Sequence, residues 1–236
     1  VENVCAALRA YPQVSSPLES QLVWRSNRWG CAESPTRKSA LGSNHDQNRH
    51  HRRQHSPRTP RRVGGPLGLR IAAERDDATF EVVDLADHDL PHLDEPVPAA
   101  MGSEYQHPHT QVWAAKVEAF DGYIFVTPEY NHSTTGVLKN AIDYLYVEWQ
   151  NKAAGFVSYG INGGVRAVEH LRQIMGELQV ADVKAAVALS LFTDFTDGTD
   201  VAPNEHHQQT LNRMLDQVIA WSGALKTLRS ASALSS

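Results

Sequence analysis

The sequence predicts an α/β protein in which helices cover both faces of a doubly wound parallel sheet, giving three layers. From about Phe80 onward, short apolar runs typical of buried strands alternate with segments of helical periodicity. Strands that alternate with helices pair in parallel through right-handed crossovers. The clearest unit is residues 123–127, an apolar run that passes through a polar turn directly into an amphipathic helix.

Each element follows from its local pattern. Apolar runs predict strands at 80–84, 123–127, 153–159 and 185–191, and the run at 123–127 is rich in β-branched and aromatic residues. Helical spacing predicts helices at 109–120, after Gly136, at 165–178 and at 209–228. The residues expected to face the sheet are Val112, Val117 and Phe120; Leu138, Ile142 and Leu145; Val168, Leu171, Met175 and Leu178; and Leu211, Leu215, Val218 and Leu225.

Length and composition suit one α/β domain with additional material. The chain has 236 residues, a net charge of −5 and 41% hydrophobic residues. No apolar stretch approaches the roughly 20 residues of a membrane helix, and the N-terminus lacks a secretory pattern, so a cytoplasmic protein without a membrane partner is expected. Cys5 and Cys31 are too few for a disulfide framework and are expected to be ordinary thiols.

The strand at 123–127 ends at a predicted ligand-binding position. Pro128 cannot donate a hydrogen bond to a sheet ladder, so the chain must leave the sheet there. Residues 129–131 therefore lie beyond the carboxyl end of a strand, where open α/β sheets place their ligands.

This stretch resembles the NADPH-dependent FMN reductase family. The matching strings are Pro-Glu-Tyr-Asn at 128–131 and Gly-Val-Leu-Lys-Asn-Ala-Ile-Asp at 136–143. The resemblance implies a flavodoxin-like fold and bound FMN, with a hydride passed from NAD(P)H via FMN to a quinone, azo compound, metal ion or free flavin. It also implies a homodimer or homotetramer. The alternative for the turn alone is that Pro128 and Asn131 only form a turn and Tyr130 only packs.

A second loop, Gly-Ile-Asn-Gly-Gly at 160–164, follows the strand predicted at 153–159. Glycines let backbone N–H groups approach a flat or anionic ligand, although most such loops are simply turns. The resemblance places this loop against the flavin ring. The predicted cofactor-binding residues are Pro128, Glu129, Tyr130, Asn131, Ser158, Tyr159, Gly160, Gly163 and Gly164.

No catalytic acid or base is predicted, because a flavin carries the redox chemistry itself and the protein supplies orientation and hydrogen bonds. Glu129 has no charged partner close in sequence, so a positioning role is expected for it.

The first strand and phosphate loop that the resemblance implies are missing from their expected place. Residues 45–62 are rich in Arg, His and Gln, which a buried strand does not tolerate. We therefore expect an irregular segment at 1–62, a reductase domain at 63–228 and a flexible tail at 229–236, with poor or no FMN affinity. A substitute strand from 21–24 is not expected, because it would need a loop of about 40 residues.

The genetic code offers a hypothesis for this gap. With suitable synonymous codons for residues 52–60, reading one nucleotide later gives Val-Gly-Ser-Thr-Arg-Pro-Gly-Arg, and residues 46–51 give Thr-Arg-Thr-Val-Ile-Thr. Together these form an apolar strand followed by the phosphate loop of the family. The hypothesis is that this segment is translated out of frame and that the frame is regained at 61–65.

Other interpretations are open. The cationic run at 49–62 could bind nucleic acid, but no aromatic residues interleave it and the net charge is negative, so no nucleic-acid partner is expected. The pairs His50-His51 and His206-His207 are expected to be solvated rather than metal ligands.

The aromatic residues Tyr144, Tyr146 and Trp149 are equally consistent with a subunit interface and with core packing. A cofactor-deficient, non-enzymatic binding or scaffold protein of the same fold is the alternative function.

Overall fold

The computed structural model describes residues 4–8, 23–25, 75–196 and 200–232. The strands are β1 (Val4–Leu8), β2 (Val23–Arg25), β3 (Thr79–Asp84), β4 (Gly122–Pro128), β5 (Lys152–Gly160), β6 (Val180–Ser190), β7 (Phe195–Thr196) and β8 (Asp200–Val201). The helices are α1 (Pro108–Glu118), α2 (Gly136–Asp143), α3 (Val165–Glu177) and α4 (Glu205–Ser232), with short 3₁₀ turns at Leu85–Asp87, Ala99–Met101 and Val147–Trp149.

Strands β3, β4, β5 and β6 run parallel, as the alternating pattern predicts. β4 pairs with β5 in parallel from Gly122 opposite Ala153 to Pro128 opposite Tyr159. β5 pairs in parallel with β6, and β1 is antiparallel to both β3 and β4, which makes those two parallel to each other. β7 and β8 pair in an antiparallel arrangement and form a small separate sheet. The predicted flavodoxin-like α/β fold is confirmed for these strands.

The position between β3 and β4, which we call the central slot, holds both β1 and β2. β1 lies beside residues 124–126 of β4, and β2 lies beside Gly122 and Tyr123. Both strands run antiparallel to their neighbours, so this part of the sheet is mixed rather than all parallel.

The expectation that residues 21–24 would not be recruited is therefore wrong, because Val23 and Trp24 pair with β3 and β4. The backbone N–H and C=O groups along the facing edges of β3 and β4 are buried and need hydrogen-bond partners. The entropy of closing a long loop grows only logarithmically with its length, so backbone pairing outweighs it.

Two apolar layers flank the sheet. One packs α1, α2 and α3 against the strands and contains the buried residues Trp113, Leu138, Trp149, Phe156, Leu171 and Met175. The other packs α4 against the opposite face through Leu211, Met214, Leu215 and Val218. The predicted sheet-facing residues of α2, α3 and α4 are buried, except that Leu225 is only partly buried. The three-layer arrangement is thus confirmed.

Helix α1 presents a different face from the predicted one. Val112 is 63% exposed, whereas its neighbour Trp113 is 2% exposed and donates its indole N–H to the Ala141 carbonyl at 2.8 Å. The core residues Val117 and Phe120 are buried as predicted. The large indole ring has more apolar area to bury than valine, and its polar atom finds a partner in α2, so it occupies the sheet-facing position.

Of the aromatic residues that follow α2, Tyr144 and Trp149 belong to the core of this chain. Both are at most 1% exposed, and the Trp149 indole N–H donates to the Ile142 carbonyl at 3.1 Å. An interface role for these two side chains is therefore wrong. Tyr146 is only partly buried, with its hydroxyl 3.4 Å from the Glu177 carbonyl.

The last helix extends past the predicted boundary at Leu228. Arg229 donates to the Asn151 carbonyl at 2.5 Å and forms an ion pair with Asp121, which anchors the end of α4 to the sheet. The flexible tail predicted from residue 229 therefore does not begin there. Among the described helices, none combines the length and hydropathy that crossing a membrane requires.

Lys152, at the start of β5, caps the end of α1 from the interior. The residue is 2% exposed, and its Nζ donates to the carbonyls of Val117 and Glu118 at 2.9 and 3.2 Å. Burial, reinforced by the charge of Arg229, lowers the pKa of Lys152 to about 7.

We expect the free energy of unfolding to rise with pH above 7. Between about pH 7 and 10.5 the unfolded chain holds a proton on Lys152 that the folded protein has lost. The stability that neutral Lys152 contributes is therefore fully present above pH 10.5. It is lost progressively as the pH falls to 7 and through it, with a slope on the order of 1 kcal/mol per pH unit. Urea denaturation at pH 7, 8 and 9 measures it. Lys152→Met should flatten the slope, whereas Lys184→Met, at an exposed lysine, should not; equal slopes in all three proteins would contradict the assignment.

Candidate functional site

Three loops meet at the carboxyl edge of the parallel strands. In the β4–β5 register Thr127 lies opposite Ser158 and Pro128 opposite Tyr159, so the two strands end side by side. β6 ends beside β5, with Ser190 opposite Gly160. The polar segments after the three strands therefore form one surface, although they are far apart in sequence.

The loop after β4 is a tight hairpin turn of residues 130–133. Tyr130 and Ser133 exchange two backbone hydrogen bonds at 3.0 and 3.1 Å. The two central residues, Asn131 and His132, have φ values of 49° and 73°. Two consecutive residues in the left-handed region define a type I′ turn, for which asparagine is a preferred residue. The turn exposes Tyr130 and Asn131 at the edge of the sheet.

The loop after β5 is shaped by two glycines in the left-handed region. Gly163 and Gly164 have φ values of 72° and 74°. A Cβ at Gly164 would lie 2.7 Å from the Tyr159 nitrogen and 2.9 Å from its carbonyl oxygen, so only glycine fits. The buried Ser158 hydroxyl donates to the Gly163 carbonyl at 2.7 Å. Ser158 thus braces the loop from inside.

Glu129 joins the two loops. Its backbone N–H donates to the Tyr159 carbonyl at 2.9 Å. One carboxylate oxygen accepts the backbone N–H of Arg166 at 3.1 Å, and the other pairs with the Arg166 guanidinium. The side chain is only 7% exposed. The carboxylate therefore caps the N-terminal turn of α3, where negative charge is stabilised by the helix dipole.

The third loop, after β6, completes the edge. The Leu191 N–H donates to the Gly160 carbonyl at 3.0 Å, and the buried Asp194 carboxylate accepts the Ser190 N–H at 2.7 Å. His207 lies 3.8 Å from that carboxylate and is 8% exposed, so the prediction of a solvated histidine is wrong for this residue. Within the described ranges no cluster of His, Cys, Asp and Glu is arranged to hold a metal ion.

The nine residues predicted to bind the cofactor come together here, but they differ in access. Tyr130 and Asn131 are exposed, whereas Pro128, Ser158, Tyr159, Gly160, Gly163 and Gly164 are buried and Glu129 points inward. Exposed apolar side chains of Ile161 and Phe192, at 63% and 77%, stand on the second and third loops. The exposed part of this edge therefore carries aromatic side chains from Tyr130 and Phe192 and an apolar side chain from Ile161.

Sequence reasoning missed Arg166, His132 and His170. The Arg166 guanidinium lies 3.3 Å from His132, and the His170 ring lies 2.8 Å from the Ser133 hydroxyl. These contacts tie the type I′ turn to α3. A possible signal was the position of Arg166 immediately after the glycine loop, at the start of a helix.

Changing Glu129 to glutamine is expected to lower the free energy of unfolding by about 1–2 kcal/mol, because hydrogen bonds to a charged acceptor contribute more than neutral ones. Glutamine still accepts from the Arg166 N–H, but the guanidinium loses its charged partner. Chemical denaturation followed by tryptophan fluorescence measures the change.

The matched control is Glu169→Gln on the same helix. The Glu169 side chain is 70% exposed and lies 3.7 Å from Arg172, so its loss should stay within about 0.5 kcal/mol. Equal losses of unfolding free energy in the two variants would show that the buried Glu129 carboxylate stabilises the fold no more than an exposed carboxylate does.

The sequence matches a family model described as NADPH-dependent FMN reductase over residues 59–194. An NAD(P)H-dependent FMN reductase of Nectria sp is 39% identical over 125 residues, which cover 50% of this chain and 62% of the relative. A similar protein of Schizosaccharomyces pombe is 40% identical, with coverage of 49% and 58%. An FMN-dependent NADPH-azoreductase of Staphylococcus saprophyticus is 29% identical, with coverage of 63% and 80%. The chain thus matches less than two thirds of the length of the first two relatives.

Proposed function

Because the chain belongs to the NADPH-dependent FMN reductase family, we propose that it is an FMN-dependent NAD(P)H oxidoreductase. It would pass a hydride from NAD(P)H via FMN to a small acceptor such as a quinone, azo compound, metal ion or free flavin. The observation that carries the proposal is the junction of the loops after β4 and β5 at one edge of the sheet, inside the family match.

The residues at this edge have distinct proposed roles. Tyr130 and Asn131, which are exposed, would line the flavin ring, and Gly160 would leave room for the Glu129 side chain and the Gly164 backbone, which lie 3.2 and 3.3 Å from where its Cβ would stand. Gly163 and Gly164 let the loop turn close to β5, and Pro128, the last residue of β4, lies opposite Tyr159, the next-to-last residue of β5. Glu129 and Ser158 hold the two loops in place. Bound FMN would supply the two-electron chemistry, and we assign no proton-transfer role to a side chain.

The second candidate, a cofactor-deficient binding or scaffold protein, is favoured by one specific observation. The strands in the central slot run antiparallel to β3 and β4. In an open α/β sheet the ligand lies at the carboxyl ends of parallel strands, so the slot does not contribute such an end here.

One experiment separates the two candidates. The purified full chain is incubated with FMN, freed of unbound flavin and examined for flavin absorbance. NADPH oxidation is then followed with a quinone as acceptor. Retained flavin together with quinone-dependent NADPH oxidation supports the reductase. A colourless protein without activity refutes it and leaves the scaffold.

We further propose a cytoplasmic homodimer or homotetramer whose reductase domain extends from about residue 63 through α4. Light scattering coupled to gel filtration measures the assembly, and a monomer at micromolar concentration would contradict it. Parallel NADH and NADPH assays determine the preferred nucleotide.

A further inference from the structure

We propose that Asn162 is a site of spontaneous deamidation, which converts its carboxamide to a carboxylate and opens the loop of residues 160–164. The proposal concerns the loop itself and does not depend on the proposed function. Asn162 is exposed and is followed by Gly163. In the whole sequence no other asparagine precedes a glycine. A reactive pair of residues therefore lies in the loop that was predicted to face the cofactor.

Deamidation joins the backbone nitrogen of the following residue to the asparagine side chain. The Gly163 nitrogen loses its proton to water or hydroxide and attacks Cγ of Asn162, which closes a five-membered succinimide and releases the carboxamide nitrogen as ammonia. Water then opens the succinimide at either carbonyl carbon. Cleavage at Cγ gives aspartate, whereas cleavage at the backbone carbonyl gives isoaspartate, in which the chain runs through Cγ. One water enters and one ammonia leaves, so no oxidant or enzyme is required.

The residue after the asparagine determines how easily the ring closes. Asparagine is a thermolabile residue in proteins, and glycine has no Cβ to crowd the attacking nitrogen. Asn131 provides a comparison within the chain, because it is also exposed and also lies in a tight turn, but His132 follows it. We therefore expect Asn162 to react before Asn131.

The closed loop restrains the attacking nitrogen. The Gly163 N–H donates to the Gly160 carbonyl at 3.1 Å, so the proton that must leave is held in a hydrogen bond. The Gly163 carbonyl accepts the buried Ser158 hydroxyl at 2.7 Å. These two bonds fix the peptide groups on both sides of Gly163. The ring can close only when the turn of residues 160–163 opens, and the rate of deamidation therefore reports on that opening.

Isoaspartate does not fit the closed loop. It adds one backbone atom between residues 162 and 163, inside the turn that the Gly163 to Gly160 hydrogen bond closes. The Gly160 carbonyl also accepts the Leu191 N–H at 3.0 Å, which ties this turn to the loop after β6. On the other side, Gly164 lies too close to Tyr159 to accept even a Cβ. The product therefore keeps the turn open and weakens the junction of the two loops.

The test follows the full chain during incubation in a mildly alkaline buffer. Trypsin cuts after lysine and arginine, so Asn162 lies in the peptide of residues 153–166 and Asn131 in the peptide of residues 117–139. Mass spectrometry measures the acidic form of each peptide, and enzymatic methylation detects isoaspartate. We expect deamidation of peptide 153–166 to be more than about tenfold faster than that of peptide 117–139, equivalent to about 1.4 kcal/mol of activation free energy.

Two serine variants test the role of loop opening. Ser158→Ala removes the hydrogen bond to the Gly163 carbonyl. Because one such bond contributes about 0.5–1.5 kcal/mol, deamidation at Asn162 should become roughly two- to tenfold faster. Ser222→Ala is the matched control, since Ser222 is 0% exposed and its Oγ has no hydrogen-bond partner among the described residues. The rate in this control should equal that of the parent.

The outcomes decide each step separately. Similar rates at Asn162 and Asn131 overturn the assignment, and so does a peptide 153–166 that stays unmodified throughout the incubation. Equal rates in the parent and in Ser158→Ala overturn the role of loop opening. Asn162→Gln should remain unmodified, because glutamine must close a larger ring, and its thermal unfolding should not change with incubation. An equal loss of thermal stability in the incubated parent and in this variant overturns the predicted effect of isoaspartate on the loop.

Discussion

Replacing Gly164 with alanine is expected to lower the free energy of unfolding by about 2–6 kcal/mol and to abolish flavin binding. The residue has a φ of 74°, which costs a residue with a side chain about 1–3 kcal/mol. Its new Cβ would also lie 2.7 Å from the Tyr159 nitrogen and 2.8 Å from the Ser158 Cβ. Overpacking of this kind costs a further 1–3 kcal/mol or so. The backbone of β5 belongs to the sheet, so the glycine loop must move instead.

Gly176→Ala in α3 is the matched control. A Cβ there meets nothing within 4 Å, and alanine favours a helix over glycine by about 0.5–1 kcal/mol. This variant should be as stable as the parent or slightly more stable, with unchanged flavin binding. Thermal unfolding and flavin titration of the two variants provide the comparison. A stable Gly164→Ala protein with unchanged flavin affinity would show that the loop geometry is not required.

Replacing residues 46–60 with the shifted-frame string Thr-Arg-Thr-Val-Ile-Thr-Val-Gly-Ser-Thr-Arg-Pro-Gly-Arg is expected to create a preference for FMN. The apolar part of this string suits a strand buried on both faces, in contrast to the charged residues it replaces. Entering the central slot in parallel, it would displace β1 and β2 and end at the carboxyl edge. Its polar part would then offer backbone N–H groups to the phosphate.

We expect FMN to bind this variant at least about tenfold more tightly than riboflavin, equivalent to about 1.4 kcal/mol. A variant carrying the same residues in scrambled order controls for composition and charge. Similar FMN preference in the restored and scrambled proteins would reject the reading-frame hypothesis. Circular dichroism and urea denaturation show whether the restored strand also stabilises the sheet.

Local sequence patterns were sufficient for β3, β4, β5, α2 and α3. Each is an apolar run or a helical stripe with a clear stop signal, such as Pro128, which is the last residue of β4. The spacing of apolar residues along a helix or strand determines which face is buried, so these elements can be predicted without knowledge of distant contacts. Trp113 shows the limit of this reasoning, because its choice over Val112 depended on a carbonyl of α2.

The pairing at the site could not be read from the sequence. Glu129 and Arg166 are 37 residues apart. Nothing in the sequence around either residue indicates that the two form an ion pair. The same holds for the buried Asp194 and for His207, which are 13 residues apart and lie 3.8 Å from each other in the fold. Parallel strands bring their carboxyl ends together through crossovers, so contacts between the loops depend on strand order and register.

Sequence alone was enough to establish the fold class, the motif at residues 128–143 and the glycine loop, because local composition and spacing specify each of them. Only the tertiary structure showed what fills the central slot and that Glu129 caps α3. Both depend on unpaired backbone and charged groups finding partners among distant segments. A buried N–H or carboxylate must be satisfied wherever a partner is available, and the fold determines where that is.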